Sequence, residues 1–183
     1  MKKLALTLAS LLTVTTLNSY ANDLAIDIGD DTFSIEFSSK SFSKDSEFSI
    51  ATLHADDLHL YSVKGLVTGN LEQNRNFEAA LGGKVYALSF QDDNIQGLAL
   101  GGELNYKLPM NEKVEFNGSI YYAPSPTLSD DLDYLADLTL TASYKLLNNG
   151  AIYINYRKLQ ASDEFSNDLK MNSGFNIGLN FSF

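Results

Sequence analysis

The 183-residue sequence lacks several features that would point to common classes of protein. There is no cysteine, which excludes disulfides, thiol chemistry and cysteine-ligated metal sites. Basic residues are scarce, with 13 Lys and Arg against 23 Asp and Glu. Phosphate binding needs clustered basic residues, so we expect no nucleic acid partner. Neither a G-x-S-x-G motif nor a phosphate-binding loop occurs.

The first 21 residues have the layout of a secretory signal peptide. Lys2 and Lys3 precede a short apolar stretch, and Ser19 and Ala21 are spaced as in an A-x-A-like cleavage site. The stretch is shorter than the roughly 20 apolar residues of a transmembrane helix. We predict that residues 1–21 are a cleaved signal peptide and that residues 22–183 form one mature domain.

Apolar and polar residues alternate with a period of two from Thr32 onward, which is typical of β-strands with unlike faces. The last segment shows this most clearly, with glycine and polar residues between its large apolar positions. Those apolar positions are Phe175, Ile177, Leu179, Phe181 and Phe183. The alternation is weak only in residues 47–54 and 58–68, where the faces cannot be assigned.

Segments of about ten alternating residues with aromatic ends are the signature of transmembrane β-barrels. The hydrocarbon layer of a membrane contains no water to hydrogen-bond the backbone. A closed barrel meets this condition because it pairs every backbone polar group inside its sheet. We therefore predict an all-β fold, a transmembrane antiparallel up-and-down β-barrel. A soluble lipocalin-like or sandwich protein is the alternative, but charges such as Glu103 and Arg157 would be costly in its apolar core.

Nine segments read clearly as strands, and bacterial single-chain barrels have an even number. Adding Leu24–Ile28 as a short first strand gives about 10 strands, and 8 is the alternative. Long links at 160–170 and 124–133 alternate with short ones at 147–150 and 109–112, which places the C-terminus on the periplasmic side.

Glycines suggest two local features. Gly82–Gly83 and Gly101–Gly102 lie inside strands and are interpreted as bends or bulges. Asn148–Gly150 is a turn signal whose residues tolerate positive φ.

Two motifs resemble a known family. Tyr121-Tyr122-Ala123-Pro124, followed by an acidic loop, and Asn155-Tyr156-Arg157 resemble segments of the YfaZ family of small outer-membrane proteins. That family carries Tyr-Ala-Pro at the end of one strand and Gly-Tyr-Arg in a later one, so Asn155 departs from its usual glycine. The resemblance implies a β-barrel in the outer membrane of a Gram-negative bacterium and implies no reaction.

The end of the chain carries a second resemblance. The closing alternation through Phe183 is similar to the signal that outer-membrane β-proteins present to their assembly machinery. This resemblance implies that the assembly machinery is a partner.

The two histidines flank a pair of aspartates. His54, Asp56, Asp57 and His59 are weak candidates for a divalent cation site or for a general base. A solvated polar turn is the favoured interpretation, because no helical H-E-x-x-H spacing is present. Further acidic residues in the links at 92–93, 130–133 and 163–168 would favour cations at the outer mouth, or serve only to solvate the loops.

Charged residues of both signs fall on the inward face of the strands. They are Glu36, Glu78, Lys84, Glu103, Glu115 and Arg157. Small barrels have interiors just wide enough for side chains, so we expect this lumen network to pair with itself rather than to line a conduit.

These patterns leave three functional hypotheses. The first is a non-enzymatic integral barrel with a side-chain-filled lumen and a structural or surface-interaction role, whose partners are outer-membrane lipid, lipopolysaccharide or divalent cations. The second is a narrow channel for small solutes. The third is a barrel-embedded lipid-modifying or proteolytic enzyme that uses His54 or His59 with a neighbouring aspartate. No cofactor is expected.

Overall fold

The computed structural model describes residues 22–43, 45–70, 76–91, 93–129, 132–163 and 168–183. The predicted signal peptide, residues 1–21, lies outside this part. No helix in the described residues is long and apolar enough to cross a membrane.

The described residues form ten strands, so the prediction of ten is confirmed and the alternative of eight is wrong. The strands are β1 Asn22–Gly29, β2 Phe33–Ser43, β3 Ser46–Ala55, β4 Leu58–Asn70, β5 Phe77–Phe90, β6 Asp93–Lys107, β7 Val114–Pro124, β8 Leu132–Leu147, β9 Gly150–Asp163 and β10 Asp168–Ser182. Each pairs antiparallel with the next, and β10 pairs with β1 to close an up-and-down barrel. One turn of 3-10 helix, Ser125–Thr127, follows β7.

The first and last described residues, Asn22 and Phe183, meet at one end of the barrel. Asn22 N donates to Phe183 O at 3.0 Å, and Phe183 N donates to Asn22 O at 2.9 Å. We call this the terminal end and the opposite one the distal end. Because the strands run up and down, the turn at Asn148–Asn149 lies at the terminal end, and the links after β3, β5, β7 and β9 lie at the distal end.

The outer face of the barrel is apolar and the inner face is mixed. The five apolar positions of β10 are exposed, with Phe175 at 68% and Ile177 at 62%, while Asn176 between them is 3% exposed. This is the register that the alternation predicts. The faces of β3 and β4 are now assigned, because Leu53 and Leu60 are buried inside whereas Ile50 and Tyr61 are exposed outside.

The bulge interpretation of the paired glycines is wrong. The pairing of β5 with β4 and β6 runs through Gly82 and Gly101 without a register shift. A Cβ at Gly82 would lie 1.9 Å from Gly65 O, and one at Gly101 would lie 2.0 Å from Ile120 O. These glycines therefore allow close approach of adjacent strand backbones.

The predicted turn at Asn148–Asn149 is present, but none of its residues has a positive φ. The pairing of β8 with β9 has a register shift between Lys145 and Leu147, just before the turn.

Candidate functional site

The distal half of the lumen is filled by apolar side chains that we call the apolar plug. They come from β3, β4, β5, β6, β8, β9 and β10, and each is 6% exposed or less. The plug consists of Leu53, Leu58, Leu60, Leu88, Ile95, Leu132, Leu135, Leu159 and Met171. Sequence reasoning missed it, because its members on β3 and β4, which are Leu53, Leu58 and Leu60, lie in the two segments whose alternation is too weak to assign faces.

Below the plug, a lysine on β4 joins two other strands. Lys64 Nζ lies 2.6 Å from Glu103 Oε1 on β6 and 3.0 Å from Glu36 Oε1 on β2. Tyr121 OH donates to the same Glu103 oxygen at 2.8 Å. One cation therefore holds two carboxylates from strands that are not its neighbours.

A second ion pair crosses the lumen at a similar level. Lys84 Nζ on β5 lies 2.7 Å from Asp137 Oδ2 on β8, and Tyr86 OH donates to the same oxygen at 3.0 Å. The Lys84 ammonium also lies 4.9 Å from the ring centre of Tyr86 and 5.3 Å from that of Tyr121, within cation–π range.

The third cluster surrounds a buried aspartate on β1. Asp27 Oδ2 accepts from Tyr153 OH at 3.0 Å and from Asn155 Nδ2 at 3.4 Å. Asn176 Nδ2 donates to Asn155 Oδ1 at 2.7 Å. Gly178 lies between the strands, and a Cβ there would come within 2.2 Å of the Tyr153 ring, so the glycine makes room for the tyrosine.

The six residues of the predicted network line the lumen or its rim, but the ion pairs differ from the expectation. Glu36 and Glu103 pair with Lys64, and Lys84 pairs with Asp137. The other two ion pairs are Glu78 with Lys40 at 3.6 Å and Glu115 with Lys145 at 4.0 Å. The expectation that the six pair with one another is therefore wrong, because their counter-ions come from residues that the alternation did not single out.

The terminal half of the lumen contains a cavity of about 430 Å³ that we call the polar well. Its lining runs from Asp23 and Ser182 at the terminal end to Leu53, Leu60 and Leu159 of the plug. Exposure falls along this path, since the side chain of Lys145 near the rim is 48% exposed and that of Lys64 is 11% exposed. The well is therefore open at the terminal end and closed by the plug.

The histidine candidates lie at the distal rim and not in the lumen. His54 and His59 are cross-strand partners, with 2.8 Å between their Nδ1 atoms, on either side of the two-residue turn of Asp56 and Asp57. In the described part of the chain neither histidine contacts a carboxylate, and no group of three potential ligands could hold a metal. The candidate cation site is not formed, because the hairpin pairs the two imidazoles with each other and leaves both carboxylates exposed.

The acidic links are described only in part. Asp93 and Asp133 are exposed near the distal end. Asp92, Asp130, Asp131 and Glu164 lie outside the described residues.

Comparison with known proteins agrees with this geometry. A solved KdgM porin in complex with disordered oligogalacturonate has a TM-score of 0.50 and 12% identity, over 89% of this chain and 99% of that one. The NanC porin has a TM-score of 0.48 and 11% identity, over 90% of this chain and 100% of that one. At 12% identity the likeness to the KdgM porin shows the fold alone.

The sequence comparisons give the family. No curated protein matches the chain. The family model described as YfaZ precursor matches residues 1–183, the whole sequence. This closed ten-stranded barrel therefore belongs to the YfaZ precursor family.

Proposed function

We propose that the mature chain is a non-conducting, non-enzymatic barrel of the outer membrane of a Gram-negative bacterium, with a structural or surface-interaction role. The observation that carries this proposal is the apolar plug. Ions need water or polar ligands along their path, and an apolar constriction opposes conduction by excluding water. Leu58, Leu135 and Leu159 of the plug are 0 to 1% exposed, so water does not reach these side chains.

The polar clusters below the plug support the same proposal. The contact of Lys84 with Asp137 and that of Tyr153 with Asp27 both join strands that are not neighbours. Such contacts connect strands that no backbone hydrogen bonds join and make the barrel rigid.

The outer face supports a position in a membrane. Its exposed large apolar residues occur on all strands from β3 to β10, and a soluble protein rarely exposes so extended an apolar surface. We propose that residues 1–21 are cleaved on export and that the terminal end faces the periplasm. Lipid and lipopolysaccharide would then contact the barrel wall, divalent cations would meet the acidic distal links, and the assembly machinery would bind the strand that ends at Phe183.

A narrow channel for small solutes is the second candidate, and the polar well favours it. That well occupies only the terminal half of the lumen, so conduction would need movement of the plug. Enzymatic use of His54 or His59 finds no support, because the two imidazoles contact each other and neither contacts an aspartate in the described residues.

Single-channel recording in planar bilayers tests the proposal. The refolded mature protein should give no conductance steps, whereas Leu60→Ala combined with Leu159→Ala should give them, because both residues lie where the plug meets the well. Leu98→Ala, on the outer face, is the control and should stay silent. Reproducible steps from the unaltered protein would show that the lumen conducts and would overturn the proposal.

A further inference from the structure

The polar well holds one basic side chain that lacks an ionic partner. Arg157 on β9 lines the well, two residues from Leu159 at its floor. Among the described residues its guanidinium makes no hydrogen bond and no ion pair. Its charge acts on Glu36 and Asp137, but lysines already hold those two carboxylates. Arg157 therefore keeps its planar set of N–H donors for another anion.

The same well holds three carboxylates that lie outside its ion pairs, although the charges of Lys64 and Lys40 act on one of them, Glu47. Asp23, Asp27 and Glu47 all line it, and in the described part of the chain none of them forms an ion pair. Their hydrogen-bond donors are neutral hydroxyl or amide groups. Asp27 is 5% exposed, and its Oδ1 has no hydrogen-bond partner. Burying a carboxylate without a counter-ion costs folding free energy, and a cation that approaches the carboxylate reduces this cost.

The unpaired charges are arranged along the axis of the well. Arg157 lies at the floor, and Asp27 is bound by Tyr153 and Asn155, which are four and two residues nearer the terminal end on the same strand. Two to four residues of strand span about 7 to 13 Å, part of which the long arginine side chain covers. Asp23 lies still nearer the mouth. A ligand entering from the terminal end would therefore meet carboxylates first and the guanidinium last.

We propose that the polar well binds a small zwitterion of the amino acid class, with its carboxylate on Arg157 at the floor and its ammonium towards Asp27 and the mouth. A simple anion would leave Asp23 and Asp27 uncompensated and would enter a lining that has more acidic than basic side chains. A simple cation would leave Arg157 unpaired. The cavity volume of about 430 Å³ falls in the range of small-molecule sites.

Binding of three matched probes to the refolded mature protein in detergent micelles tests the proposal by calorimetry. The probes are 4-aminobutanoate, butanoate and butylamine, which carry both charges, only the carboxylate and only the ammonium. We expect 4-aminobutanoate to bind at least about tenfold more tightly than either analogue, because it compensates both ends of the well. Equal binding by butanoate or butylamine would overturn the proposal that the ligand is a zwitterion. The absence of 4-aminobutanoate binding at about 10 mM would also overturn it.

Two variants of Arg157 and one control variant of Lys158 locate the site. Arg157→Gln should weaken 4-aminobutanoate binding by about tenfold or more, and Arg157→Lys, which keeps the charge and loses the planar fork, should weaken it less. Lys158→Gln removes the same charge from the next residue, which is not part of the lining, and should bind as the unaltered protein does. Equal affinities in Arg157→Gln and Lys158→Gln would show that the ligand does not bind at this arginine. If Arg157→Gln does not fold, Arg157→Lys and the three probes decide the question.

Discussion

Lys84 on β5 and Asp137 on β8 form an ion pair across the lumen, with 2.7 Å between Nζ and Oδ2. Two strands, β6 and β7, separate them around the barrel wall. The contact therefore joins sheet positions that no backbone hydrogen bond connects. It also lies beneath the apolar plug, where the Lys84 side chain is 16% exposed and that of Asp137 is 7% exposed.

Removing the cation of this pair should destabilise the barrel strongly. Lys84→Met removes the ion-pair partner of the buried Asp137 carboxylate, so we expect a loss of about 3 to 5 kcal/mol in the free energy of unfolding. Urea unfolding of the protein in lipid vesicles, followed by circular dichroism, measures it. The double variant Lys84→Met with Asp137→Leu should recover most of the loss, because neither charge of this ion pair is then left in the lumen.

Lys145→Met is the matched control for that experiment. Its partner Glu115 is 4.0 Å away and the Lys145 side chain is 48% exposed, so the change should cost less than about 1 kcal/mol. Similar losses in the two lysine variants would contradict the distinction between the inner pair and the rim pair.

Adjacent substitutions on β10 should differ because one faces lipid and the other faces the lumen. Leu179 is in the middle of the five exposed apolar positions, and lysine there should cost about 2 to 4 kcal/mol. Asn180 lines the polar well, so Asn180→Lys should be milder. Heat-modifiable gel mobility and outer-membrane fractionation report the folded fraction. Equal mobility and yield in the two variants would mean that the assigned faces are wrong.

A methyl group at Gly82 should disrupt the pairing of β4 with β5. Its Cβ would lie 1.9 Å from the backbone oxygen of Gly65, so a strand must shift, at a cost of about 1 to 3 kcal/mol. Gly69→Ala is the control on the same pair of strands, because nothing lies within 4 Å of a Cβ there. Urea titration of both variants should find Gly69→Ala unchanged or slightly more stable. A stable Gly82→Ala would mean that the two strands are not in close contact at this point.

Deleting Phe183 should impair insertion in cells more than folding in vitro. The residue adds two backbone hydrogen bonds to the seam with Asn22, and its ring centre lies 6.4 Å from that of Phe37. The barrel can still close through the rest of β10, whereas the resemblance to the assembly signal depends on the terminal aromatic. Comparing outer-membrane yield with refolding into vesicles separates the two effects, and normal yield in cells would count against the assembly role. Phe175→Ala, at the other end of the apolar row, is the control that keeps the terminus.

Much of the architecture follows from the order of residues along the chain. Alternation with a period of two identifies strands and faces wherever one face is apolar, as from Phe175 to Phe183, because successive side chains point to opposite sides of a sheet. The short first strand around Leu24–Ile28 follows from the rule that bacterial single-chain barrels have an even number of strands.

The partners of the inward side chains were decided by the tertiary structure alone. Lys64 went unnoticed because the alternation in β4 is too weak to assign its faces, and because its carboxylate partners lie 28 and 39 residues away in sequence. The plug, the polar well and the unpaired Arg157 have the same origin. Alternation determines which side chains face inward, but the closure and stagger of ten strands determine which of them meet across the lumen, and no pattern with a period of two contains that information.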